Sequence, residues 1–258
     1  MAMLSINDLP EDVLVELLSH VAEYDLIHCC RLVCSLWRDV VDMPTLWKRK
    51  CQLEGFSPKG GIRIPDDWKS FYFLFKLRKN LIRNPCAKEG FNSWRIDEDG
   101  GDKWAIEELP GGHGQPIPLP DVKKYFVTSF SDCKKSQFID LKADGYWEEL
   151  MDEVQPDIVV TDWYAARYDC GCQYEVCVQL LSEDFIVLQE FCPEPVLIDQ
   201  WSDAKWRQMS HTFRNYGPGV RHIKFQHGGK DRQFWAGWYG VRVTSSSLVI
   251  EPPISDGQ

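Results

Sequence analysis

The chain has 258 residues, 44% of them hydrophobic and 13% aromatic, which is long enough to bury a sizeable core in one large domain or two smaller ones. Its formal net charge of −10 and pI near 5.1 argue against nucleic acid or an anionic membrane as the main partner, because both require a basic surface. Since no apolar stretch approaches the ~18 residues of a transmembrane helix and no secretory signal pattern opens the chain, we expect a cytosolic or nuclear protein, with the cytoplasm as first choice.

The first fifty residues are predicted to form short helices. Pro10 stands in the first turn of a helix, where Glu11 and Asp12 complement the helix dipole. A second helical stretch starts at Asp25, and Pro44 interrupts it before a further helix. The apolar residues that recur at helical spacing are Val13, Leu14, Leu17, Leu18, Val21, Leu26, Ile27, Cys30, Val33, Leu36, Trp37, Val40 and Val41. Because so few residues cannot easily form a stable core alone, this apolar stripe is expected to need a partner.

A linker and one more helix are predicted to follow. Residues 55–65 are rich in glycine, proline and lysine, a composition typical of a linker. Asp66-Asp67 is then expected to cap an aromatic-rich helix that runs from Trp68 to about Arg83 and stops at Asn84-Pro85. The many apolar positions of this helix predict that it packs against the bodies on both sides.

Beyond Pro85 the pattern changes to many short strands, most of them separated by glycine or proline clusters. One helical turn is expected from Tyr146 to Met151. The predicted strands are Ser93 to Ile96, Lys103 to Ile106, Lys124 to Phe130, Gln137 to Leu141, Ile158 to Trp163, Gln173 to Leu181, Phe185 to Phe191, Lys205 to Phe213, Val220 to Gln226, Trp238 to Thr244, and Leu248 to Ile250. This order of elements predicts an α+β chain, with N-terminal helices followed by an antiparallel β-sandwich.

An aromatic run from Gln226 to Gly240 places four aromatic side chains between glycines that belong to turns. Gly228-Gly229 predicts a chain reversal, so we expect a hairpin with an aromatic tip. Strand alternation would send Trp238 into the core and leave Phe234 and Trp235 at the turn. The run therefore predicts a flat aromatic platform, although burial of all four rings in the core is the competing interpretation.

The N-terminal segment resembles an F-box in its many apolar positions at fixed spacing. The motif is Leu9-Pro10-Glu11-Asp12-Val13-Leu14, then Cys30-Arg31-Leu32-Val33-Cys34-Ser35-Leu36-Trp37-Arg38 and Leu46-Trp47. An F-box implies docking on the Skp adaptor of SCF (cullin-RING) ubiquitin ligases, which would supply the partner that the apolar stripe needs. The adaptor-binding residues implied by the resemblance are Leu9, Pro10, Val13, Leu14, Leu17, Val33 and Trp37.

The remainder resembles the F-box-associated domain of the sugar-recognising F-box family. The motifs that carry this resemblance include Asn84-Pro85-Cys86, Gly145-Tyr146-Trp147, Ser210-His211-Thr212-Phe213, Phe225-Gln226-His227-Gly228-Gly229 and Trp235-Ala236-Gly237-Trp238-Tyr239-Gly240. The resemblance implies a jelly-roll-like sandwich, similar to galactose-binding domains, whose loops bind the chitobiose core of high-mannose N-glycans. Its ligands would be misfolded glycoproteins destined for ubiquitination and degradation. It divides the chain into an F-box (1–52), a linker and connecting helix (53–84), the sandwich (85–252) and a tail (253–258).

The glycan site implied by this resemblance comprises Phe130, Asp169, Phe234, Trp235 and Ala236. A pyranose stacks its apolar face on an aromatic ring and needs an acceptor for its hydroxyls, so Trp235 would be the platform, Phe130 or Phe234 a flanking wall, and Asp169 the acceptor. Some sugar-binding members have Lys in place of Ala236 and Tyr in place of Phe234, and some members do not bind glycan measurably. A receptor for protein surfaces and an unrelated carbohydrate enzyme are the alternatives.

Other chemistry-bearing residues are interpreted as structural. Cys170-x-Cys172 with Cys177 lacks a second pair of metal ligands, and the ten cysteines are expected to be free, mostly buried thiols. The paired acids Glu148-Glu149 and Asp152-Glu153 lack a carboxylate across a cleft. His227 is expected to brace the glycine turn. We therefore expect no catalytic residue, metal or cofactor, and interpret the chain as a non-catalytic receptor.

Overall fold

The computed structural model describes residues 6–57 and 67–253. The described residues divide into two compact units, one that ends at Arg78 and also includes Pro252 and Pro253, and one that comprises Lys79–Glu251. Most of the predicted linker, Asp66 of the predicted cap and most of the predicted tail lie outside the described residues.

The N-terminal unit consists of short helices, as the sequence predicted. Its described helices are α1 Glu11–Ser19, α2 Glu23–His28, α3 Ser35–Asp42, α4 Pro44–Glu54 and α5 Trp68–Leu77, with short 3₁₀ turns at Ile6–Asp8 and Cys30–Leu32. Pro44 occupies the first position of α4. A backbone N–H at this position has no acceptor within the helix, so proline, which lacks the N–H, loses no hydrogen bond there. Trp47 is fully buried in the core of the unit, and its indole donates to the Val41 carbonyl at 2.7 Å. None of the described helices is long and apolar enough to cross a membrane.

Helix α5 begins at the predicted residue but ends earlier than predicted. The Asp67 carboxylate caps it by accepting from the backbone N–H of Lys69 at 2.9 Å and of Ser70 at 3.1 Å. The helix stops at Leu77 instead of near Arg83. The residues after it belong to the second unit, where the Leu81 N–H donates to the Leu248 carbonyl at 2.8 Å. The backbone at Leu81, which the apolar pattern assigned to the helix, therefore hydrogen-bonds to a strand of the second unit instead.

The second unit is a sandwich of two antiparallel sheets, which confirms the predicted fold class. The six-stranded sheet has the order β1-β4-β10-β6-β7, with β8 also paired to β6, and the five-stranded sheet has the order β2-β3-β11-β5-β9. The strands are β1 Arg95–Asp99, β2 Ala105–Glu108, β3 Lys124–Val127, β4 Cys133–Asp140, β5 Asp157–Ala165, β6 Cys172–Leu181, β7 Val187–Phe191, β8 Val196–Ile198, β9 Arg207–Phe213, β10 His222–Asp231 and β11 Arg242–Glu251. The helical turn predicted over Tyr146 to Met151 is present in part, since the Met151 N–H donates to the Trp147 carbonyl at 3.2 Å, and a π-helical turn then covers Leu150–Val154.

A buried polar network joins the two sheets. Lys135 on β4 and His227 on β10 meet at 2.6 Å between Nζ and Nε2, and His227 Nδ1 lies 2.6 Å from Oδ2 of Asp162 on β5. Tyr174 and Ser246 donate their hydroxyls to the same carboxylate at 2.6 and 2.8 Å. Burial holds the pKa of His227 to about 4 and the pKa of Lys135 well below its ordinary value. The neutral imidazole thus belongs to the core, and the prediction that His227 braces a turn is wrong.

The glycine pair also has a different role from the one predicted. Gly228 and Gly229 lie inside β10, between its two neighbouring strands, and not in a turn. A Cβ on Gly228 would come within 1.9 Å of the Cys133 carbonyl oxygen, and one on Gly229 within 1.8 Å of the Gln173 carbonyl oxygen. The glycines therefore permit close approach of three backbones. The chain then passes from β10 to β11, which lies in the other sheet, so the expected hairpin is a connection between sheets.

The cysteines depart from the expected free thiols at one pair. Cys177 on β6 is bonded to Cys192, with a Cα–Cα distance of 4.2 Å. Alternate residues of β6 are buried, and Cys177 falls on the half-exposed face rather than in the core. The other eight cysteines are unpaired, and four of them, Cys51, Cys133, Cys170 and Cys172, are buried.

Candidate functional site

The connection from Arg232 to Val241 carries the aromatic run, and buried polar groups fix its shape. The Asp231 carboxylate, itself buried, accepts from the backbone N–H of Phe234 at 2.5 Å and of Trp235 at 3.1 Å. This Asx-type turn holds Phe234 at a φ of +59°. Further along, the Asp102 carboxylate accepts from the Gly237 N–H at 2.5 Å. The connection is therefore a pinned loop rather than a loose one.

Loops from both sheets gather around this connection. The Ser129 hydroxyl, in the loop between β3 and β4, donates to the Gly237 carbonyl at 2.7 Å. The side-chain oxygen of Gln233 accepts from the Gly171 N–H, in the loop between β5 and β6, at 2.7 Å. The Arg232 N–H donates to the Gly171 carbonyl at 2.9 Å. Predicted site residues that are far apart in the sequence are thus carried by neighbouring loops.

Three exposed rings lie on this loop. Phe234 is 75% exposed, Trp235 38% and Trp238 42%. Phe130 meets Phe234 edge-on, with ring centroids 5.0 Å apart, and Trp235 meets Tyr239 edge-on at 5.6 Å. The prediction that Trp238 points into the core is wrong. Residues 232–241 do not form a strand, so the alternation of strand side chains between two faces does not apply to them. The Trp238 indole donates to the backbone carbonyl of Lys103 at 3.2 Å.

Asp169 is held by an arginine that was not predicted. Its carboxylate accepts from Nε of Arg167 at 2.9 Å and from Nη2 at 3.1 Å, and His113 Nε2 lies 3.9 Å from Oδ2. The hydrogen bonds from Arg167 hold the pKa of Asp169 below its ordinary value, so the carboxylate is ionised near neutral pH. The Arg167 guanidinium also lies over the Tyr239 ring, 4.5 Å from its centroid.

The structure brings the predicted glycan residues together in two linked groups. Phe130 and Phe234 touch directly, whereas Trp235 connects to Asp169 through Tyr239 and Arg167. Ala236 is exposed beside Trp235 and offers no side-chain donor. Sequence reasoning missed Asp231, Arg167 and Tyr239. An aspartate three residues before Phe234 is a sequence pattern that predicts a turn, so the role of Asp231 could have been predicted. The contact between Arg167 and Tyr239 has no such pattern, because it joins residues that are far apart in the sequence.

The predicted adaptor-binding residues divide between surface and core of the N-terminal unit. Leu14 is buried in the core, and Trp37 is half-buried with its indole donating to the Asn7 side chain at 2.9 Å. The exposed members are Leu9, Pro10, Val13, Leu17 and Val33. Leu32 is exposed beside Val33 and was not predicted. An apolar surface therefore remains open on this unit.

Comparison with known families assigns both units. The family described as F-box-like matches residues 6–53, and the family described as F-box associated region matches residues 72–250. The chain therefore belongs to the F-box proteins with an F-box associated region, which are substrate receptors of SCF ubiquitin ligases. This membership confirms both resemblances read from the sequence.

Close relatives carry F-box names. The chain is 60% identical to F-box only protein 6 of Bos taurus over 97% of its own length and 94% of that protein, and 58% identical to F-box only protein 44 of Homo sapiens over 98% and 100%. Among solved structures, the CBM22-1 xylan-binding domain from Paenibacillus barcinonensis aligns with 68% of this chain and 97% of its own, at 9% identity and a TM-score of 0.40. A similarity this slight adds nothing to the assignment.

Proposed function

We propose that this SCF substrate receptor acts in the cytoplasm and binds the chitobiose core of high-mannose N-glycans on misfolded glycoproteins, which it presents for ubiquitination and degradation. The observation that supports this function is the loop end of the sandwich, where exposed aromatic rings and an ionised carboxylate lie on neighbouring loops that are linked through Tyr239 and Arg167. Rings and an acceptor are the minimum set for holding a sugar, because the C–H face of a pyranose stacks while its hydroxyls donate.

Each residue has a role in this proposal. Trp235 is the stacking platform, and its edge contact with Tyr239 keeps the ring from swinging away. The Phe130 and Phe234 pair forms the flanking wall. Asp169 accepts from sugar hydroxyls; its two hydrogen bonds from Arg167 fix the direction of the carboxylate and leave it charged.

A second candidate function is recognition of protein surfaces without glycan. Two observations favour it: Phe234 is 75% exposed and apolar, and Ala236 contributes no hydrogen bond where some sugar-binding members have Lys. An exposed apolar ring suits a protein contact as well as a sugar.

The N-terminal unit would dock on the Skp adaptor and through it on the cullin-RING ligase. The exposed residues Leu9, Val13, Leu17 and Val33, with Leu32, form the proposed contact. An exposed apolar surface of this kind marks a contact with another protein, because covering it removes apolar area from water. In this arrangement ubiquitin transfer belongs to the other subunits, and the chain contributes recognition alone.

A binding experiment separates the two candidates. The chain, purified with the Skp adaptor, is titrated against one glycoprotein bearing high-mannose N-glycans, before and after enzymatic glycan removal, with free chitobiose as competitor. The glycan proposal expects binding to the intact glycoprotein alone and its loss on adding chitobiose. Equal binding to both forms contradicts the glycan proposal and supports the protein-surface candidate.

A further inference from the structure

The edge of the six-stranded sheet is interrupted at residues 192–195. Strands β7 and β8 pair with the same edge of β6, and the segment between them contains Pro193 and Pro195. Because proline has no backbone N–H, this segment cannot continue the ladder. A cavity of about 310 Å³ opens beside it, and Cys177 and Cys192 both line that cavity. Their disulfide thus ties an edge that the backbone leaves unpaired.

A carboxylate lies beside the two sulfurs. One ligand atom from each of Cys177, Glu190 and Cys192 lies within 4.8 Å of the others, and no second group of this kind occurs in the described part of the chain. Glu190 precedes Cys192 by two residues, so both side chains point to the same face. The Gln179 amide donates to Oε2 of Glu190 at 2.9 Å and orients the carboxylate. Cys192 and Glu190 are exposed, so a solute can reach the group.

We propose that Cys177, Cys192 and Glu190 form a redox-gated site for a thiophilic divalent cation of the zinc class. Two thiolates and one carboxylate suit such a cation, with water in the fourth tetrahedral position. Cys177 and Cys192 lie opposite one another, one pair beyond Val178 and Phe191 in the register of β6 against β7, and their Cα atoms are 4.2 Å apart. Two sulfurs on one zinc ion are roughly 3.8 Å apart, given bonds of about 2.3 Å. Rotation of the side chains therefore reaches the bound geometry without moving the strands.

The two states of the site exclude each other. Reduction by a dithiol breaks the Cys177–Cys192 bond; two electrons and two protons pass to the sulfurs, and the dithiol itself becomes a disulfide. The cation then displaces both thiol protons, which pass to the solvent, and binds the two thiolates, because the thiolate and not the thiol is the ligand. Together with the Glu190 carboxylate, three negative charges face two positive ones. In the oxidised state neither sulfur is a thiolate, so the cation is excluded.

The test uses the full chain and Co²⁺ as the probe. Protein reduced with a phosphine and desalted without air is titrated with Co²⁺ and read by thiolate-to-cobalt charge-transfer absorption, after which Zn²⁺ should displace the probe. We expect a stoichiometric band for the reduced protein and none for the oxidised protein, whose Cys177–Cys192 bond is verified by peptide mass mapping. A band of equal intensity in the oxidised protein, or none in the reduced one, would overturn the proposal.

Variants assign the ligands. Cys177→Ser and Cys192→Ser should each abolish the band, whereas Cys29→Ser, which removes an exposed thiol elsewhere, should leave it unchanged. Glu190→Gln should keep the disulfide in the oxidised protein but weaken Co²⁺ binding by roughly tenfold or more. Survival of the band in either cysteine variant would place the probe on other thiols, and an unchanged affinity in Glu190→Gln would remove the carboxylate and refute the three-ligand site.

Discussion

Removing the Trp235 ring should weaken glycan binding more than its effect on folding can explain. Trp235 is 38% exposed, so more than half of its surface is hidden by the protein. Full burial of a large apolar side chain is worth about 1.5–3 kcal/mol, so loss of the hidden part of the Trp235 ring in Trp235→Ala should cost about 1–2 kcal/mol in unfolding free energy. For a domain of this size, that is a fall in Tm of roughly 2–8 °C. The domain stays folded at 25 °C, where binding is measured.

The loss of affinity is a separate quantity. A central aromatic anchor is worth about 2 kcal/mol or more in binding, which is about thirtyfold in Kd. Binding of chitobiose to wild type and Trp235→Ala is measured by isothermal titration calorimetry, and Tm by differential scanning calorimetry. Both changes are expected together, so the Tm change alone does not distinguish a site ring from a structural one.

Trp238→Ala is the matched control. Trp238 is 42% exposed and its indole also makes a backbone hydrogen bond, so its removal should lower Tm by a similar amount. It has no role in the proposed site, and chitobiose affinity should stay within about twofold of wild type. Equal loss of affinity in both variants would show that loop integrity, and not stacking on Trp235, explains the effect. Unchanged affinity in Trp235→Ala would refute the platform.

The remaining predictions concern the acceptor, the adaptor surface and the missing polar groups. Asp169→Asn should weaken chitobiose binding by about tenfold, the value of one charge-assisted hydrogen bond. Because the pKa of Asp169 is lowered from 3.8, the charge that Asp169 contributes is complete above that pH. Affinity should therefore stay constant as pH falls from about 7 to 5 and decline only as pH passes through the lowered pKa. Leu17→Glu should abolish co-purification with the Skp adaptor, while Leu53→Glu, at a similarly exposed leucine (42% against 48%), should not. Phe234→Tyr combined with Ala236→Lys should strengthen chitobiose binding about tenfold by adding two polar groups to the site.

Each of these has an outcome that counts against it. A fall in affinity at pH 6 would contradict an ionised Asp169 with a lowered pKa. Adaptor binding by Leu17→Glu, with the variant folded by circular dichroism, would move the docking surface away from α1. No gain from the Phe234 and Ala236 exchanges, in protein of wild-type Tm, would mean that these positions do not face the sugar.

Local patterns predicted the fold class well because they depend on neighbours in sequence. The helical stripe through Leu14 and Leu18 and the break at Pro44 each reflect one element, and the structure has them as expected. Most of the short strands between glycine and proline clusters were equally readable, but β8 was not predicted, and the two strands expected from Trp238 to Thr244 and from Leu248 to Ile250 are the single strand β11, which begins at Arg242. The end of α5 was missed because the backbone after Arg78 is captured by a distant strand, which no window of sequence reveals.

The errors at the candidate site have one physical origin. A glycine pair signals either a turn or close backbone approach, and only the position of β10 between two strands decides for approach at Gly228 and Gly229. Interpreting Gly228-Gly229 as a turn led both to the expected hairpin and to the predicted inward direction of Trp238. The bond between Cys177 and Cys192 likewise depends on strand register, since alternation gives a face but not which face is buried.

The buried network of Lys135, His227 and Asp162 has a consequence for the surface. Because each hydrogen bond depends on distance and direction, these buried polar groups are satisfied in a single alignment of the two sheets. Strand β5 leads from Asp162 to the loop of Asp169, and β10 leads from His227 to the loop of Phe234. A slip by one residue pair would shift one loop against the other by about 7 Å, more than the width of a sugar ring. By fixing the alignment of the two sheets, His227 also fixes the distance between Asp169 and the aromatic rings of the loop that carries Phe234.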